Sequence, residues 1–178
     1  MHGDIMSHGA MRVTPADLRP SAPLGETLLA LNNAHAVELS RLDPDRLERL
    51  VAQAFLATRV GAVDAFLLAF DQGADYDSPN FRWFRAGYDS FVYVDRVVVA
   101  PGARDRGLGR LLYEELFAEA RASGYHRVVC EVNMDPPNPA SDSFHAALGF
   151  AEVGRARLPE SGKIVRYLSH ESLAGGAV

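Results

Sequence analysis

Two stretches of the chain have apolar residues at the spacing of an amphipathic helix. The first covers 43–59, and its apolar positions are Leu47, Leu50, Val51, Ala54 and Phe55. The second begins near Leu108 and ends at Gly124, where a C-terminal cap belongs, and its stripe is Leu108, Leu111, Leu112, Leu116 and Ala120. Residues three and four apart share one face of a helix, so each stretch predicts a helix packed against a core.

Short apolar runs bounded by turn residues predict the strands of a sheet. The predicted strands cover 27–33, 63–71, 91–100 and 126–134, followed by a C-terminal pair, 150–158 and 163–170, around Ser161 and Gly162. Two short helices are also predicted, one over 34–40 that Asn33 can cap and one over 140–150 that ends at Gly149. This order favours an α/β or α+β fold, with a mixed central β-sheet flanked by helices on both faces.

The length of 178 residues indicates a single domain, and 48% of the residues are apolar. We expect the domain to span 25–172, between a flexible leader, 1–24, and a flexible tail, 173–178. The leader lacks the apolar core of a signal peptide, and no apolar run approaches the roughly 18 residues of a membrane span. We therefore expect a cytoplasmic protein without a membrane partner.

Charge and cysteine content exclude two further classes. The formal net charge is −5 and the pI is about 5.6, which argues against a nucleic-acid partner because such proteins need a basic surface. Cys130 is the single cysteine, so the chain has neither an internal disulfide framework nor a cysteine-rich metal site. We expect a reducing compartment and no bound metal.

The turn between the strand 91–100 and the next helix has an unusual composition. It contains Arg104, Arg106, Gly107 and Gly109 just before or at the start of the helix. A helix N-terminus has unpaired N–H groups and a partial positive charge, and glycine lets an anion approach the backbone closely. The spacing matches neither a P-loop nor a dinucleotide-binding fingerprint. Two interpretations remain open here: an anion-binding turn, or a flexible turn with solvated arginines.

The turn is followed by a second motif, and together they point to a family. "VVVAPGARDRGLGRLL" and then "NPASDSFHAALGF" resemble the GNAT superfamily of N-acetyltransferases. In that family an R/Q-x-x-G-x-G/A turn holds the pyrophosphate of acetyl-CoA. The resemblance is strong over 91–150, and the order of elements extends it to about 27–170. It implies acetyl-CoA as the cosubstrate and an amine as the acceptor.

The resemblance assigns residues to the cofactor by position. The backbone of the strand end would contact the pantetheine arm, the turn would hold the pyrophosphate, and Asn138 matches an asparagine that touches the cofactor. Asn138 precedes Pro139 and is equally well placed to cap a helix. The implied cofactor-binding residues are Val97, Val98, Val99, Arg104, Asp105, Arg106, Gly107, Leu108, Gly109, Arg110 and Asn138.

Three residues are candidates for proton transfer. Many family members have a tyrosine in the last helix as the acid for the leaving thiolate, and His145 stands at that position here. A histidine can serve as that acid, or it can simply pack beside the cofactor. Glu131 is the preferred candidate for the base that deprotonates the amine, because a strand glutamate has this role in one family branch. Asp95, in the cofactor-binding strand, is its rival, and both carboxylates also have structural interpretations.

Other residues are candidates for contact with the acceptor. The long insert 72–90 combines carboxylates with aromatic side chains such as Tyr76 and Trp83, a combination that can hold an ammonium group. A short helix is predicted inside the insert, with Ser78 and Pro79 at its start. Three roles remain open for the insert: a lid over the substrate, a contact in a dimer, or a helix that packs over the sheet. Asn33 and His35 lie where the first helices of the family border the acceptor cleft.

The resulting functional hypothesis is an enzyme. We expect an N-acetyltransferase that moves the acetyl group of acetyl-CoA to a primary amine of a small molecule or of a protein N-terminus, by direct attack in a ternary complex. The alternative is a non-catalytic acyl-CoA sensor with the same fold, which turnover would distinguish. Dimers are common in such folds, so a homodimer is a further expectation.

Overall fold

The computed structural model describes residues 9–20 and 22–171, and it confirms a mixed α/β fold. The α-helices are α1 (Pro23–Ala34), α2 (Pro44–Gln53), α3 (Pro79–Gly87), α4 (Leu108–Ala122) and α5 (Pro139–Ala147). The strands are β1 (Met11–Arg12), β2 (Leu56–Val60), β3 (Ala65–Asp71), β4 (Val92–Val99), β5 (Val128–Asp135), β6 (Ala151–Arg157) and β7 (Ile164–His170). Short 3-10 helices cover Pro15–Leu18 and Pro101–Ala103.

The seven strands form one sheet in the order β1-β2-β3-β4-β5-β7-β6. β4 and β5 are parallel, with Val92 opposite Val128 and Tyr93 opposite Val129. The pairs β1–β2, β5–β7 and β6–β7 are antiparallel, so the sheet is mixed. The last strand of the chain therefore lies between β5 and β6.

Contacts along the chain define two compact units, and each has its own core. The first unit consists of the described part of Met1–Ala52 together with Leu56–Leu68 and Arg96–Glu115. Its fully buried side chains include Leu50, Leu56, Leu67 and Leu112.

The second unit consists of Gln53–Phe55, Ala69–Asp95 and the described part of Leu116–Val178. Its core is aromatic, because helix α3 packs Phe81 and Phe84 onto rings from the neighbouring strands. The rings with no exposed surface in this core are Phe70, Phe81, Phe84, Phe91 and Tyr93.

The prediction for the first fifty residues was wrong in two places. The segment 27–33, predicted as a strand, belongs to helix α1, whose first turn contains Pro23 and whose buried face carries Leu28 and Asn32, four residues apart. The helix predicted over 34–40 is a turn instead, in which the His35 carbonyl accepts from the N–H groups of Glu38 and Leu39. Asn33 consequently lies inside α1 rather than at the start of a helix.

The helix predicted over 43–59 was too long. Helix α2 ends at Gln53, and the apolar run that follows is strand β2, in which four of five residues are buried. A strand covered on both faces reads as a continuous apolar run, which periodicity alone cannot distinguish from a buried helix. The amphipathic helix and the buried strand were therefore merged into one element.

The predicted leader contains a strand. Met11 and Arg12 form β1 and pair with Thr58 and Arg59 of β2. Residues 1–8 of the predicted leader and the predicted tail, 173–178, lie outside the described residues. The domain limits at 25 and 172 stay predictions.

The later elements match the prediction closely. β3, β4, α4, β5, α5 and the pair β6–β7 all lie where the sequence patterns indicate, and α3 has Pro79 in its first turn. Within residues 9–20 and 22–171, none of the helices combines the length and the hydropathy that crossing a membrane requires.

Candidate active site

The strand-to-helix turn in the first unit has the backbone shape that its glycine indicated. Asp105 and Gly107 have φ values of 62° and 72°, in the left-handed region that favours glycine. The Leu111 N–H donates to the Gly107 carbonyl and so begins the hydrogen bonding of α4. The N–H groups before Leu111 therefore have no partner within the helix, and they form the positive end of its dipole. This geometry suits an anionic ligand.

Three arginines surround this turn. Arg104, Arg106 and Arg110 are exposed. The Arg106 guanidinium makes a 3.3 Å ion pair with Asp64, and both side chains are about half exposed to solvent. An exposed pair of this kind contributes little to stability, so Arg106 can exchange Asp64 for another anion at small cost.

The remaining residues assigned to the cofactor lie at the end of β4 and at the starts of α4 and α5. Val98 is buried, whereas Val97 and Val99 are half-buried on the other face of the strand. Leu108 and Gly109 are buried in the first turn of α4. Asn138 is the N-cap of α5, and its side chain accepts from the Ser141 N–H at 3.3 Å. The capping alternative is thus confirmed, while a contact between Asn138 and the cofactor stays a prediction.

The second unit holds Glu131 in a cluster of polar side chains. Glu131 lies on β5 directly opposite Tyr167 of β7. Asn80 of α3 bridges the two: its Nδ2 donates to Glu131 Oε1 at 3.0 Å, and its Oδ1 accepts from the Tyr167 hydroxyl at 3.1 Å. Glu131 as a whole is partly exposed. Its Oε2 atom, however, is buried and has no hydrogen bond of ordinary geometry within the described residues.

Burial dominates the ionisation of this carboxyl. It raises the pKa of Glu131 to about 8, and the nearby charge of Asp95 acts in the same direction. The Tyr93 hydroxyl and the Asn80 amide oppose this rise, because they stabilise the charged form. Tyr93 is itself fully buried, and burial, followed by the charge of Glu131, raises its pKa well above the ordinary value. Glu131 can therefore gain or lose a proton near neutral pH.

Asp95 lies at the edge of the same cluster. Its Oδ1 accepts a 2.5 Å hydrogen bond from the Tyr76 hydroxyl. Tyr76 is buried against Phe70 and Phe81, with ring centroids 4.7 and 5.7 Å away. Tyr76, which we expected to contact the acceptor, thus has a partner in the protein, and Asp95 acts on Glu131 through its charge.

Helix α3, which lies in the insert 72–90, packs over the sheet. This is one of the three arrangements that the sequence left open for the insert. Trp83 stacks on Tyr167 with a centroid distance of 4.1 Å and an interplanar angle of 19°. Its ring also covers Gly154 of β6, where a Cβ atom would lie 2.6 Å from the indole. The insert was noted in the sequence for its aspartates and aromatic rings, whereas Asn80 was missed because a lone asparagine in a helix carries no pattern.

His145 is enclosed by protein. It is 4% exposed, lies at ring-contact distance from Phe144 and Phe150, and its Nδ1 is 2.8 Å from the Ser141 carbonyl oxygen. Burial lowers its pKa below the ordinary value, against the opposing effects of Ser141 and Asp142. A lowered pKa favours the neutral imidazole, which suits a side chain that packs beside the cofactor better than one that donates a proton. The role of His145 as the acid for the thiolate stays a prediction.

Asn33 and His35 both bind protein backbone. The Asn33 amide donates to the Leu42 carbonyl and accepts from the Leu42 N–H, each at 2.9 Å. His35 Nδ1 lies 3.0 Å from the carbonyl oxygen of Leu31. Both side chains stabilise α1 and the segment after it, and a contact with the acceptor stays a prediction.

Arg96 also stabilises this segment, and sequence reasoning missed it. It follows Asp95 in β4, is 3% exposed, and donates to Asn32 Oδ1 at 2.7 Å and to Ser40 Oγ at 3.1 Å. The alternation of side chains along a strand places Asp95 and Arg96 on opposite faces.

Comparison with known proteins decides the family. The sequence profile of the acetyltransferase (GNAT) family matches residues 60–150, just over half of the chain, including the turn and the Glu131 strand. The chain belongs to the GNAT family of acetyltransferases. Its resemblance to that family, inferred from the two motifs, is confirmed.

Two relatives of this GNAT chain are named as transferases of an acyl group to nitrogen. A phosphinothricin N-acetyltransferase of Streptomyces coelicolor is 46% identical over 61 residues, which cover 34% of each chain. The L-amino acid N-acyltransferase MnaT of Escherichia coli is 37% identical over 93 residues, 52% of this chain and 49% of the relative. This chain thus matches between a third and a half of the length of these relatives.

Solved structures share the GNAT fold over nearly the whole chain. The structure of yncA, a putative acetyltransferase from Salmonella typhimurium with its cofactor acetyl-CoA, covers 95% of both chains with a TM-score of 0.63 and 22% identity. A ribosomal-protein-alanine N-acetyltransferase from Brucella melitensis covers 91% of this chain and 98% of its own, with a TM-score of 0.64 and 22% identity. At these identities the likeness establishes the fold alone.

Proposed function

We propose that this protein is an acetyl-CoA-dependent N-acetyltransferase whose acceptor is the α-amino group of a small amino-acid-like compound. The reaction joins the amine nitrogen to the acetyl carbonyl carbon and breaks the C–S bond in a ternary complex. The amine loses a proton, and the departing thiolate takes one up to become free coenzyme A. Acetyl-CoA supplies the activated acetyl group, and the protein supplies binding, orientation and a proton acceptor.

The first unit would bind the cofactor. The N–H groups at the start of α4 and the positive φ of Gly107 suit a pyrophosphate, and exposed Arg104 and Arg106 add charge. The backbone of Val97–Val99 would bind the pantetheine arm and donate to the carbonyl oxygen as it gains charge. Family membership supports these assignments, because the matched residues 60–150 include all of them.

Glu131 would accept the proton of the amine, and its environment is the observation that carries the proposal. The α-amino group of a peptide N-terminus has a pKa of about 7.7–8.0, and a base works best when its own pKa is near the operating pH. The pKa of Glu131 is raised to about 8, so the two groups are closely matched. A lysine side chain, with a pKa of about 10.4, would fit this base less well.

The class of acceptor is supported by the names of the relatives, whereas the pKa match applies to a peptide N-terminus as well. The names of both relatives refer to amino acids or to an amino-acid analogue. An α-amino group is common to these compounds and to a peptide N-terminus, so a peptide acceptor is a separate outcome of the experiment.

The experiment is thiol release from acetyl-CoA with a panel of amines at pH 8. The panel contains free amino acids, their N-methylated and α-deamino analogues, N-terminal peptides and lysine peptides blocked at the α-nitrogen. Release that requires a free α-amine on a small compound supports the proposal, and a preference for peptides moves the acceptor to protein N-termini. Folded protein that binds acetyl-CoA but releases no thiol with any amine would indicate the non-catalytic sensor.

A further inference from the structure

The contacts of helix α3 point to a residue that controls Glu131. Three residues stand in one row across the sheet, because β5 pairs Glu131 with Tyr167, and β6 pairs Gly154 with the same Tyr167. Side chains directly opposite on neighbouring strands lie on one face, about 5 Å apart. Helix α3 covers this row, with Asn80 and Trp83 three residues apart and therefore on one side of the helix.

Trp83 holds the helix in place over the row. Its indole stacks on the Tyr167 ring and lies on Gly154, which leaves no room for a side chain there. The register of β6 shifts between Glu152 and Gly154, so a strand irregularity accompanies this close approach. Phe81 and Phe84, on the same helix, have no exposed surface. The helix thus has little freedom to move, and Asn80 is fixed with it.

Asn80 reaches Glu131 from this anchored position. It is 9% exposed, and both ends of its amide are used, since Oδ1 accepts from Tyr167 and Nδ2 donates to Glu131. An asparagine has two donors and an acceptor, so the hydroxyl of Tyr167 on Oδ1 directs the NH₂ group toward the carboxylate. A donor at this point stabilises the charged form of Glu131, the form that can take a proton.

We propose that Asn80 is a positioning residue for Glu131: oriented by Tyr167 and anchored through Trp83, it keeps the carboxylate in place and favours its ionised form. The proposal rests on Glu131 being the base of the proposed acetyltransferase. The groups that face Glu131 are Tyr93 and Asp95 from β4, Tyr167 from β7 and Asn80 from α3. Asp95 opposes ionisation, whereas Tyr93, Asn80 and the backbone of Glu131 favour it against burial.

The test compares Asn80→Ala, Asn80→Asp and Tyr167→Phe with the wild-type protein. Removing the donor raises the pH at which Glu131 ionises, and a carboxylate in its place raises it further. We expect the acid limb of kcat/KM to move up by about one pH unit in Asn80→Ala, which is about a tenfold loss at pH 7, and by more in Asn80→Asp. Tyr167→Phe is expected to move the acid limb in the same direction, but by less than Asn80→Ala.

A second readout does not depend on turnover. The side-chain carboxyl carbon of Glu131, assigned with Glu131→Gln, is titrated by carbon-13 NMR in each variant. Arg85→Gln is the matched control, because Arg85 is exposed on the same helix and is expected to leave both readouts unchanged.

The outcomes separate the two proposals. If folded Asn80→Ala and Asn80→Asp titrate Glu131 as the wild type does, or lose activity equally at all pH values, Asn80 has only a structural role and the inference fails. If the titration shifts as expected while even the wild type shows no amine-dependent turnover, the control of Glu131 ionisation stands and the acetyltransferase proposal fails. If Asn80→Ala does not fold, Tyr167→Phe, which keeps the helix and its rings, gives the deciding titration.

Discussion

The turn before α4 and the cluster around Glu131 are built in opposite ways. The turn is a contiguous stretch, 104–107, whose functional groups are mostly backbone N–H donors and exposed arginines. The cluster consists of buried and half-buried side chains from three strands and a helix, with Asn80 and Tyr167 separated by 87 positions in the chain. The turn therefore depends on backbone conformation, whereas the cluster depends on where other elements place each atom. Variants of each region should fail in different ways.

The largest expected effect is the loss of the proposed base, Glu131. Glu131→Gln keeps the volume and the hydrogen bond from Asn80 but cannot accept a proton. We expect kcat/KM at pH 8 to fall by about 10²- to 10⁴-fold, with coenzyme A affinity unchanged, and the acid limb of the profile to disappear. Steady-state kinetics across pH 6–9 and calorimetric binding of coenzyme A measure both quantities.

Asp95→Asn is the control for this variant. The charge of Asp95 is one cause of the raised pKa of Glu131, so its removal should move the acid limb to lower pH and preserve turnover. Loss of the limb in Asp95→Asn and its retention in Glu131→Gln would reverse the two roles.

The next effect concerns stability and distinguishes the cluster from the turn. In the folded protein Glu131 keeps its proton up to about pH 8, whereas in the unfolded chain it releases the proton near 4.5. Between these two pH values the folded state binds more protons than the unfolded chain. The contribution of Glu131 to the free energy of unfolding is therefore fully present below pH 4.5 and is lost as the pH rises toward 8. We expect this decline to be on the order of 4–5 kcal/mol and to be absent in Glu131→Gln.

Urea unfolding of both proteins at several pH values between 4.5 and 8.5 measures this decline. Arg106→Ala, in the turn, is the control and should follow the wild-type slope. Parallel curves for the wild type and Glu131→Gln would mean that Glu131 ionises normally in the folded state.

Gly154→Ala tests whether the cluster depends on its distant anchor. The added Cβ would lie 2.6 Å from the Trp83 ring, so the ring and helix α3 must shift. We expect a loss of about 1–3 kcal/mol in stability and an acid limb displaced toward higher pH, because Asn80 moves with the helix. Gly87→Ala, at the end of the same helix with open space around its Cβ, is the matched control. If Gly154→Ala is destabilised but its acid limb is unchanged, the contact of Trp83 with Gly154 does not influence the ionisation of Glu131.

Gly107→Ala tests the turn through its backbone alone. No atom lies within 4 Å of the new Cβ, but the φ of 72° disfavours any side chain. We expect a cost of about 1 kcal/mol and weaker coenzyme A binding, with the pH profile of kcat unchanged. Gly102→Ala, five residues earlier, also has open space and lacks the positive φ, so it should behave as the wild type in melting and in calorimetry. Equal coenzyme A affinity in Gly107→Ala and Gly102→Ala would contradict the role of this backbone conformation.

Arg106→Ala should have the smallest effect on stability. Its ion pair with Asp64 is exposed, so we expect a change below about 1 kcal/mol in the free energy of unfolding. Coenzyme A affinity should fall a few-fold and depend less on salt, because one cation is removed from the proposed pyrophosphate-binding turn. Asp64→Asn, which releases Arg106 from its partner, should leave the affinity equal or higher. Lower affinity in Asp64→Asn than in Arg106→Ala would mean that the ion pair shapes the turn.

The accuracy of the sequence-based prediction differs between the same two regions. The turn was located from four residues, because glycine and arginine before a helix have local consequences. Glu131 and Asp95 were identified as candidates, but their order of preference rested on family resemblance. The partners of Glu131 were not found, since the hydrogen bonds of Asn80 require that α3 and β7 meet. The strand predicted over 27–33 failed for a related reason: Asn32 is a buried helical residue whose Oδ1 accepts from Arg96, a partner 64 positions away in the chain.

The sequence by itself determined the elements after residue 60, the family and the position of the turn before α4, because periodicity, glycine positions and motif spacing are local properties of the chain. The tertiary structure decided which polar residues share an environment. It placed Glu131 beneath α3 with its Oε2 buried, raised its pKa to about 8 and turned the side chains of Trp83 and Tyr76 toward protein partners. The physical reason is that desolvation and hydrogen bonding depend on all the groups packed around an atom, and those groups come from distant parts of the chain.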